Sequence, residues 1–324
     1  MIRVGIIGGG FYGLFIASYL TRKGYYVRVL DTNQPKASEV CQARLHNGMF
    51  YSRSLSDLKC CINNGATFYK WYRDFIIKDF NSYYLVDKNS NVSFDLFKKL
   101  AKENKLRVKP CKLDYVNTAN VQGIFKAKEY SINIQGLLDH LLNTLNEAPE
   151  CAHAYKLKNL STGIDVCSDH GTYHFDKVIV CAYGGINPIL NSSGYELLDM
   201  KAVKQHIYYF EDNLPNDVHA VVDGSYWNTM IHREPRKDIT KSLIATNVYY
   251  GNSAIEIEWD RVLQLVHHYI PEVNMYYRDR KEFTKFLSTN TRQALFTQVD
   301  KNIYTVFAGK LPNVFSILKD LDNI

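Results

Sequence analysis

The feature of this sequence that most constrains its fold is a glycine-rich turn close to the N-terminus. Ile2–Ile7 is rich in β-branched residues, which is typical of a short buried strand. Gly8, Gly10 and Gly13 then satisfy the pattern GxGxxG, and a helical pattern follows them. A second apolar segment, Tyr26–Leu30, comes after that helix. The order of strand, glycine turn, helix and strand predicts a dinucleotide-binding βαβ unit.

The residues of this unit have the properties that the diphosphate of a dinucleotide requires. Gly8 permits a tight turn, Gly10 lets the backbone approach the diphosphate, and Gly13 lets the helix pack close to the sheet. The helix N-terminus adds N–H donors and a partial positive charge. Asp31, 18 residues after Gly13, is placed to accept hydrogen bonds from ribose hydroxyls. An acid there disfavours NADP, whereas FAD and NAD both remain open, as does a turn that serves only packing.

Length and composition exclude several classes of protein. The 324 residues allow about two domains, and 46% hydrophobic with 22% charged residues is a globular composition. The formal net charge of +6 is spread without a Lys/Arg run, so no nucleic-acid partner is expected. Seven cysteines without a CxxC pair argue against a secreted disulfide framework and against a structural zinc site. We expect a reduced, cytoplasmic protein that holds no metal.

The sequence also argues against a membrane-spanning protein and against a serine hydrolase. Val4–Leu20 is apolar, but five glycines interrupt it and it is too short to span a bilayer. No GxSxG elbow is present, so Ser-His-Asp catalysis has no support. We therefore expect no membrane span and no serine hydrolase.

The rest of the chain alternates between helical and strand patterns without an internal repeat or a linker. We expect helices over Leu14–Arg22, Ser56–Ile77 with Ser56 as N-cap, Gln135–Leu145, Ala254–Tyr269 and the C-terminus. We expect strands over Tyr83–Val86, Asn91–Phe94, Phe175–Cys181 and Ile303–Ala308, and a β-rich stretch from about Val203 to Tyr250. Because no linker separates them, the two domains are expected to be interleaved.

Four segments carry a resemblance to a known family. They are GIIGGGFYG…VRVLD at the N-terminus, ARLHNGMFYSRS after the second strand, VIVCAYGGIN in the middle and YTVFAGK near the end. They resemble, in that order, the ADP-binding motif, the second flavin-contacting loop, the strand-then-glycine segment and the covering C-terminal loop of one superfamily. It is the superfamily of FAD-dependent oxidoreductases that contains D-amino-acid oxidase and glycine oxidase. Asp31 stands where that family more often has Glu, the C-terminal loop is reduced, and the chain is shorter than typical members.

The resemblance implies an α/β fold with two interleaved domains. A three-layer, Rossmann-like FAD-binding domain is expected from residues 1–55, 135–200 and 285–324. Residues 56–134 and 201–284 are expected to form a substrate domain around a mixed, largely antiparallel sheet.

The resemblance also implies which residues contact FAD and which act on the substrate. The expected cofactor-binding residues are Gly8, Gly10, Phe11, Tyr12, Gly13, Asp31, Thr32, Arg44, His46, Asn47, Gly48, Tyr183, Gly184, Gly309, Lys310 and Leu311. His46 is expected near the isoalloxazine as acid, base or covalent link, and Arg292 as the partner of a substrate carboxylate. Lys310 is expected to place a positive charge near flavin N1 and O2. The alternatives are a loop histidine that fixes backbone, a solvated arginine, a surface lysine and, for Arg44, a surface ion pair.

The implied reaction is hydride transfer to flavin from a carbon that bears an amine or a hydroxyl group. The substrate would be a small amine, an amino acid or a related hydroxy acid. Two alternatives stay open from the residues. An NAD-dependent dehydrogenase would be favoured if the ARLHNG loop faced solvent, and a non-catalytic dinucleotide-binding subunit is favoured by the reduced C-terminal loop.

Overall fold

The computed structural model describes residues 1–41, 43–52, 54–215, 217–222, 228–232, 241–246, 258–288, 293–307 and 310–324. The helices are α1 Phe11–Arg22, α2 Ala37–Val40, α3 Leu55–Trp71, α4 Phe94–Glu103, α5 Ile134–Leu142, α6 Ile186–Ser193, α7 Trp259–Tyr269 and α8 Leu318–Leu321. The strands are β1 Arg3–Ile7, β2 Tyr26–Asp31, β3 Arg44–Leu45, β4 Ile76–Ile77, β5 Ser82–Asp87, β6 Val108–Cys111, β7 Val121–Ala127, β8 Tyr130–Ile132, β9 Glu150–Cys151, β10 Ala154–Leu160, β11 Gly163–Ser168, β12 Gly171–Phe175, β13 Lys177–Val180, β14 Met200–Asp212, β15 Val218–Val222, β16 Asn228–His232, β17 Lys241–Thr246, β18 Met275–Ser288, β19 Leu295–Asp300 and β20 Ile303–Phe307.

The first sheet is the parallel sheet that the N-terminal pattern predicts. Its order is β19-β20-β13-β1-β2-β9, and β1 pairs in parallel with both β2 and β13. Only β19 runs antiparallel to its neighbour in this sheet. Val4, Ile6 and Val178 are fully buried because both faces of the sheet are covered, by helices and by the small antiparallel sheet β10-β11-β12. The chain turns in opposite directions from β1 to β2 and from β1 to β13, so the ends of β1 and β13 form a switch point where doubly wound folds bind ligands.

This sheet is the middle one of three layers. One face packs against α1 and α5, whose buried leucines and isoleucines join the valines of β1 and β2 in one core. The other face packs against α6 and the antiparallel sheet β10-β11-β12. This arrangement confirms the three-layer, Rossmann-like α/β fold.

The second sheet is mixed, and the described residues give it eight strands in the order β18-β14-β17-β16-β15-β5-β7-β6. All its pairs are antiparallel except β5 with β15. Alternation along β5 sends Tyr83 and Leu85 into a core with α7, and Tyr84 and Val86 into a core with α4. This sheet confirms the mixed, largely antiparallel architecture.

The helix α3 joins the nucleotide-binding core although the expected boundary at residue 55 assigns it to the substrate domain. Phe68 of α3 lies in the same core as Phe11, Phe15 and Phe315, with ring centroids 6.1 Å from Phe11 and 6.0 Å from Phe315. A small sheet, β3-β8-β4, also combines segments from both expected domains. The domain boundaries themselves stay a prediction.

Several element predictions were wrong in position. Ser54, not Ser56, caps α3 by accepting a hydrogen bond from the Asp57 N–H, and α3 ends at Trp71. The segment 91–94 is not a strand, because Ser93 caps α4 through the Leu96 N–H. The strand predicted over 175–181 divides into β12 and β13 at Asp176, whose carboxylate accepts from the Arg3 N–H. Residues 254–257 and Ala308 lie outside the described residues.

The first helix, by contrast, extends further than predicted, since it begins at Phe11 directly after the glycine turn. No helix within the described ranges has both the length and the apolar character needed to cross a bilayer.

Candidate functional site

The glycine turn lies at the end of β1, where it leads directly into α1. Gly8 has a φ of +105°, and its N–H donates to the Leu30 carbonyl of β2 at 2.8 Å. A Cβ at Gly13 would stand 1.8 Å from the Gly8 carbonyl oxygen, so only glycine lets α1 approach β1 this closely. The N-cap Gly10 contributes no side-chain hydrogen bond, and the first turn of α1 carries no acidic residue. The positive end of the helix is therefore available to an anion.

Asp31 lies against this turn, as the sequence predicts. Its Oδ2 is 2.8 Å from the position that a Cβ of Gly9 would occupy, so the carboxylate contacts the turn directly. Lys36 also reaches the same Oδ2, with its Nζ at 2.9 Å. Thr32 follows as an exposed residue. The acid that would receive the ribose is therefore in place beside the diphosphate-binding turn.

The phenylalanine and tyrosine that follow the turn have different surroundings. The ring of Phe11 is buried in the core against Phe68, so only its backbone faces the turn, where its N–H approaches Ser38 Oγ at 3.4 Å. The Tyr12 hydroxyl donates to the Lys310 carbonyl at 2.6 Å. The start of α1 is thereby joined to the C-terminal loop.

The loop 43–52, which the sequence predicts to be the second flavin-contacting loop, is organised around a buried ion pair between Arg44 and Glu129. The side chain of Arg44 is 2% exposed and that of Glu129 is fully buried. The guanidinium of Arg44 bonds to the Glu129 carboxylate and, at 3.2 Å, to Ser82 Oγ of β5. Burial alone would raise the Glu129 pKa, but Arg44, His46 and Tyr84 lower it to about 2. Glu129 is therefore a carboxylate at neutral pH, and the Arg44 charge is compensated inside the protein.

His46, Tyr51 and Lys310 come together from distant parts of the sequence. His46 contacts the Tyr51 ring edge-on, with centroids 5.8 Å apart, and stacks on Phe50. Lys310 Nζ lies 3.0 Å from the centroid of the Tyr51 ring and 2.9 Å from Cys61 Sγ of α3. The structure thus places two of the three expected catalytic residues around one tyrosine.

The charges at this cluster follow from burial and neighbours. Burial, together with Arg44 and Lys310, lowers the pKa of His46, whereas Glu129 raises it, and the net shift is downward. His46 is therefore neutral at pH 7. Burial by itself would lower the Lys310 pKa, but Tyr51 and Cys61 raise it above its usual 10.5. Lys310 stays a cation, and no carboxylate of the described ranges lies within 4.0 Å of its Nζ.

The segment after β13 carries the remaining predicted contacts. Tyr183 has a φ of +52° and stacks on Phe307, while its hydroxyl accepts from the Phe286 N–H at 2.8 Å. A Cβ on Gly184 would come within 2.3 Å of the Phe286 ring. Tyr183 binds Phe286 of β18, and Gly184 leaves the space that the Phe286 ring occupies. Contact of Tyr183 and Gly184 with a cofactor stays a prediction.

Other predicted residues are placed by packing or lie outside the described ranges. Gly48 has a φ of +94°, and a Cβ there would stand 2.7 Å from the Leu58 carbonyl oxygen of α3. The Asn47 side-chain oxygen caps the turn that follows through the Met49 N–H at 3.0 Å. Leu311 is half-buried at the start of a 3-10 turn. Arg292 and Gly309 fall outside the described residues.

Sequence reasoning missed Glu129, Tyr84 and Cys61. Glu129 stands alone between β7 and β8, with no motif to mark it. The alternating pattern of β5 predicts only that Tyr84 is buried in the core, whereas in the structure its hydroxyl also donates to Glu129. Cys61 is 249 residues away from Lys310 in sequence, so local spacing carries no signal of the contact.

The loop 43–52 is enclosed rather than exposed. Ala43, Arg44, Leu45 and Met49 are each less than 9% exposed. Ile132 donates its N–H to the Ala43 carbonyl at 2.7 Å, which pins the start of the loop to β8. The solvent-facing loop that would favour a nicotinamide enzyme is therefore not observed for the described part of this segment.

Comparison with known proteins supports the fold. Residues 6–35 match the family model of the NAD(P)-binding Rossmann-like domain. A search of curated protein sequences finds no match to the chain.

Solved structures are similar over nearly the whole chain. The glycine oxidase of Geobacillus kaustophilus superposes with a TM-score of 0.77 at 12% identity, covering 100% of this chain and 95% of that one. NikD, described as an unusual amino acid oxidase, has a TM-score of 0.77 at 14% identity, covering 99% and 94%. The L-α-glycerophosphate oxidase of Mycoplasma pneumoniae, with FAD bound, has 0.76 at 13%, covering 100% and 94%. The chain therefore has the two-domain fold of these oxidases, which confirms the fold that the sequence resemblance implied.

Proposed function

We propose that this protein is an FAD-dependent oxidoreductase that oxidises a small amine, an amino acid or a related hydroxy acid by hydride transfer to flavin. The observation that carries the proposal is the geometry of the glycine turn. The N-terminus of α1, whose N-cap Gly10 makes no side-chain hydrogen bond, lies at the switch point of the parallel sheet, and the Asp31 carboxylate contacts the same turn. The similar oxidases, one of them with FAD bound, support flavin as the dinucleotide.

The residues present fit the diphosphate and ribose of such a cofactor. A Cβ at Gly10 would meet only Ser38 Oγ, at 3.8 Å, so this side of the turn is open to a ligand. The N–H groups at the start of α1 would bind the diphosphate, and Asp31 would bind the ribose. When bound, the flavin ring supplies the hydride acceptor.

Lys310 supplies the charge that this chemistry needs. It is a half-buried cation, and within the described ranges a tyrosine ring and a thiol, rather than a carboxylate, lie beside its Nζ. A partly buried cation without an anion is costly unless a ligand brings the negative charge. An anionic reduced flavin or a substrate carboxylate would provide it. Lys310 would then stabilise negative charge where the reaction develops it.

His46 would accept a proton from the substrate. An ammonium group must lose a proton before its carbon can give up a hydride, and a hydroxyl group loses its proton as the hydride leaves; a neutral imidazole accepts such a proton at pH 7. Because the pKa of His46 is lowered by burial, its neutral form extends to lower pH than that of an exposed histidine. Arg292 stays the predicted partner of a substrate carboxylate.

The deciding experiment is the absorption spectrum of the purified protein, before and after reconstitution with FAD. A flavin spectrum that is bleached under anaerobic conditions by an amine, an amino acid or a hydroxy acid is the expected result. A protein that stays colourless with FAD would contradict the proposal, and a flavin that no compound of this panel bleaches would favour a non-catalytic subunit. Acid precipitation then shows whether the flavin is covalently bound.

Gly10→Ala is expected to weaken FAD binding by about 10- to 100-fold while the protein still folds. The added methyl group meets no protein atom closer than 3.8 Å, but it occupies the space next to the diphosphate and pushes it away from the N–H donors. The measurement is the flavin content after dialysis, together with the melting temperature of the flavin-free protein. Gly24→Asn is the control, because Gly24 lies just after the other end of α1 with φ +88° and nothing within 4 Å, and Asn tolerates that φ. Equal flavin affinity in the two variants would contradict the proposal that the diphosphate binds at the glycine turn.

Lys310→Met is expected to slow anaerobic flavin reduction by about 10²-fold, because it removes the positive charge that stabilises the developing anion. Stopped-flow absorbance measures the rate. The control is Lys319→Met, which removes an exposed lysine of α8. A reduction rate within about twofold of the original protein would show that Lys310 has no such role.

A further inference from the structure

The Glu129 carboxylate sits where the second loop meets the second sheet, and its hydrogen bonds come from both. It accepts from the Arg44 guanidinium, from the Tyr84 hydroxyl of β5 and, at 2.9 Å, from the Asn47 N–H. The Nδ1 atom of His46 faces the same carboxylate, with Oε2 at 3.7 Å. Thus one fully buried carboxylate lies beside three of the four residues from Arg44 to Asn47.

We propose that Glu129 is the positioning residue of His46, which directs the Nδ1 proton toward itself and leaves Nε2 as the acceptor nitrogen. The inference rests on the proposed function for its consequence in catalysis, since His46 is the group that would take the substrate proton. It extends that function to a residue that no sequence motif marks.

The chemistry of the two groups gives the direction. A neutral imidazole carries its proton on one nitrogen, and the other nitrogen presents a lone pair. An ionised carboxylate accepts hydrogen bonds and donates none, so a lone pair on Nδ1 would face a negative charge. The tautomer with the proton on Nδ1 replaces this repulsion by attraction. At 3.7 Å the interaction is electrostatic rather than a hydrogen bond, and burial keeps it unscreened.

The other charged and titratable groups around His46 favour its neutral form. Arg44 of β3 and Lys310 of the C-terminal loop are cations that lower its pKa, and Tyr51 contacts its ring edge-on. Glu129 is the anion that opposes them. The carboxylate therefore determines which nitrogen carries the proton more than it determines whether the ring is charged.

The link to the second sheet gives the arrangement its rigidity. Tyr84 and Ser82, both on β5, hold Glu129 and Arg44 from the side of the sheet. Tyr84 and Ser82 are themselves almost fully buried, each with 1% of its surface exposed. The orientation of His46 is thus set by the sheet that would carry the substrate.

The test is nitrogen NMR of the protein labelled in its histidine rings, recorded over a pH titration. The His46 resonances are those missing from His46→Gln. The expected result is the neutral tautomer with the proton on Nδ1. Replacing the ion pair by a neutral pair, Arg44→Met with Glu129→Gln, should lower the ratio of the Nδ1–H to the Nε2–H form by tenfold or more. It should also lower the His46 pKa relative to Arg44→Met alone, because the carboxylate that raises this pKa is gone.

Tyr84→Phe is the matched control, because it removes a hydrogen bond to Glu129 and keeps the carboxylate. It should retain the tautomer of the original protein. An Nε2–H tautomer in the original protein, or an unchanged ratio in the neutral pair, would overturn the inference. If Arg44→Met does not fold, the tautomer ratio in the neutral pair decides alone. These spectra need no flavin, so a colourless protein with the Nδ1–H tautomer would refute the proposed function and leave the positioning role intact.

Discussion

Arg44→Met is expected to reduce the free energy of unfolding by about 3–5 kcal/mol, which makes it one of the most damaging single substitutions in this chain. The Arg44 and Glu129 side chains are 2% and 0% exposed, so the substitution leaves an ionised carboxylate without its cation inside the protein. Tyr84 and the Asn47 N–H still donate to it, but neither supplies charge. Urea denaturation followed by circular dichroism measures the loss.

The neutral pair Arg44→Met with Glu129→Gln separates the cost of an unpaired charge from the loss of packing. It is expected to be more stable than the sum of the two single substitutions by about 0.5–3 kcal/mol, because no buried charge is left without a partner. Glu211→Gln is the exposed control, since it breaks the surface ion pair between Glu211 and Arg278. That control should change stability very little. Additive single substitutions would show that the buried pair is not coupled.

The same pair gives stability a pH dependence of known sign. The Glu129 pKa is lowered to about 2 in the folded protein from its ordinary value of 4.5. A lowered carboxyl pKa stabilises the folded state above the unfolded pKa, and this contribution is lost as the pH falls toward the folded pKa. The difference of about 2.5 pH units corresponds to roughly 3 kcal/mol, in line with the cost of breaking the pair. Relative to the neutral pair, the original protein should lose this advantage between about pH 4.5 and pH 2.

Gly13→Ala is the second large effect, and it is expected to cost about 3 kcal/mol or more and to abolish stable FAD binding. The new Cβ would stand 1.8 Å from the Gly8 carbonyl oxygen, so α1 must move away from β1 by more than about 1 Å. The same movement takes the N–H donors at the start of α1 away from the diphosphate. Melting temperature and flavin content of the purified variant report the two consequences separately.

The control for Gly13→Ala is a substitution in the opposite direction on the same helix. Ala17 is fully buried one turn further along α1, and Ala17→Gly should cost about 1 kcal/mol through helix propensity and leave flavin content unchanged. A Gly13→Ala protein with normal stability and a full complement of flavin would show that the close approach of α1 to β1 is not required.

Sequence and structure agree best where the physics is local. The glycine turn, α1 and Asp31 follow from spacing over about 30 residues, because tight turns and strand–helix packing depend on backbone sterics that neighbouring residues determine. Element boundaries failed where two local signals competed, as at Ser54 and Ser56, both of which are good N-caps. In the structure Ser54 takes this role, because its Oγ accepts a hydrogen bond from the Asp57 N–H three residues later.

The sequence by itself determined the dinucleotide-binding unit, the two-domain α/β class and the resemblance to flavin oxidases. The tertiary structure alone decided the partner of each charge. It paired Arg44 with a glutamate 85 residues away rather than with solvent, and it placed Lys310 beside a cysteine 249 residues away. The reason is that a buried charge needs compensation from whatever the fold brings near it, and no local pattern records which distant side chain that is.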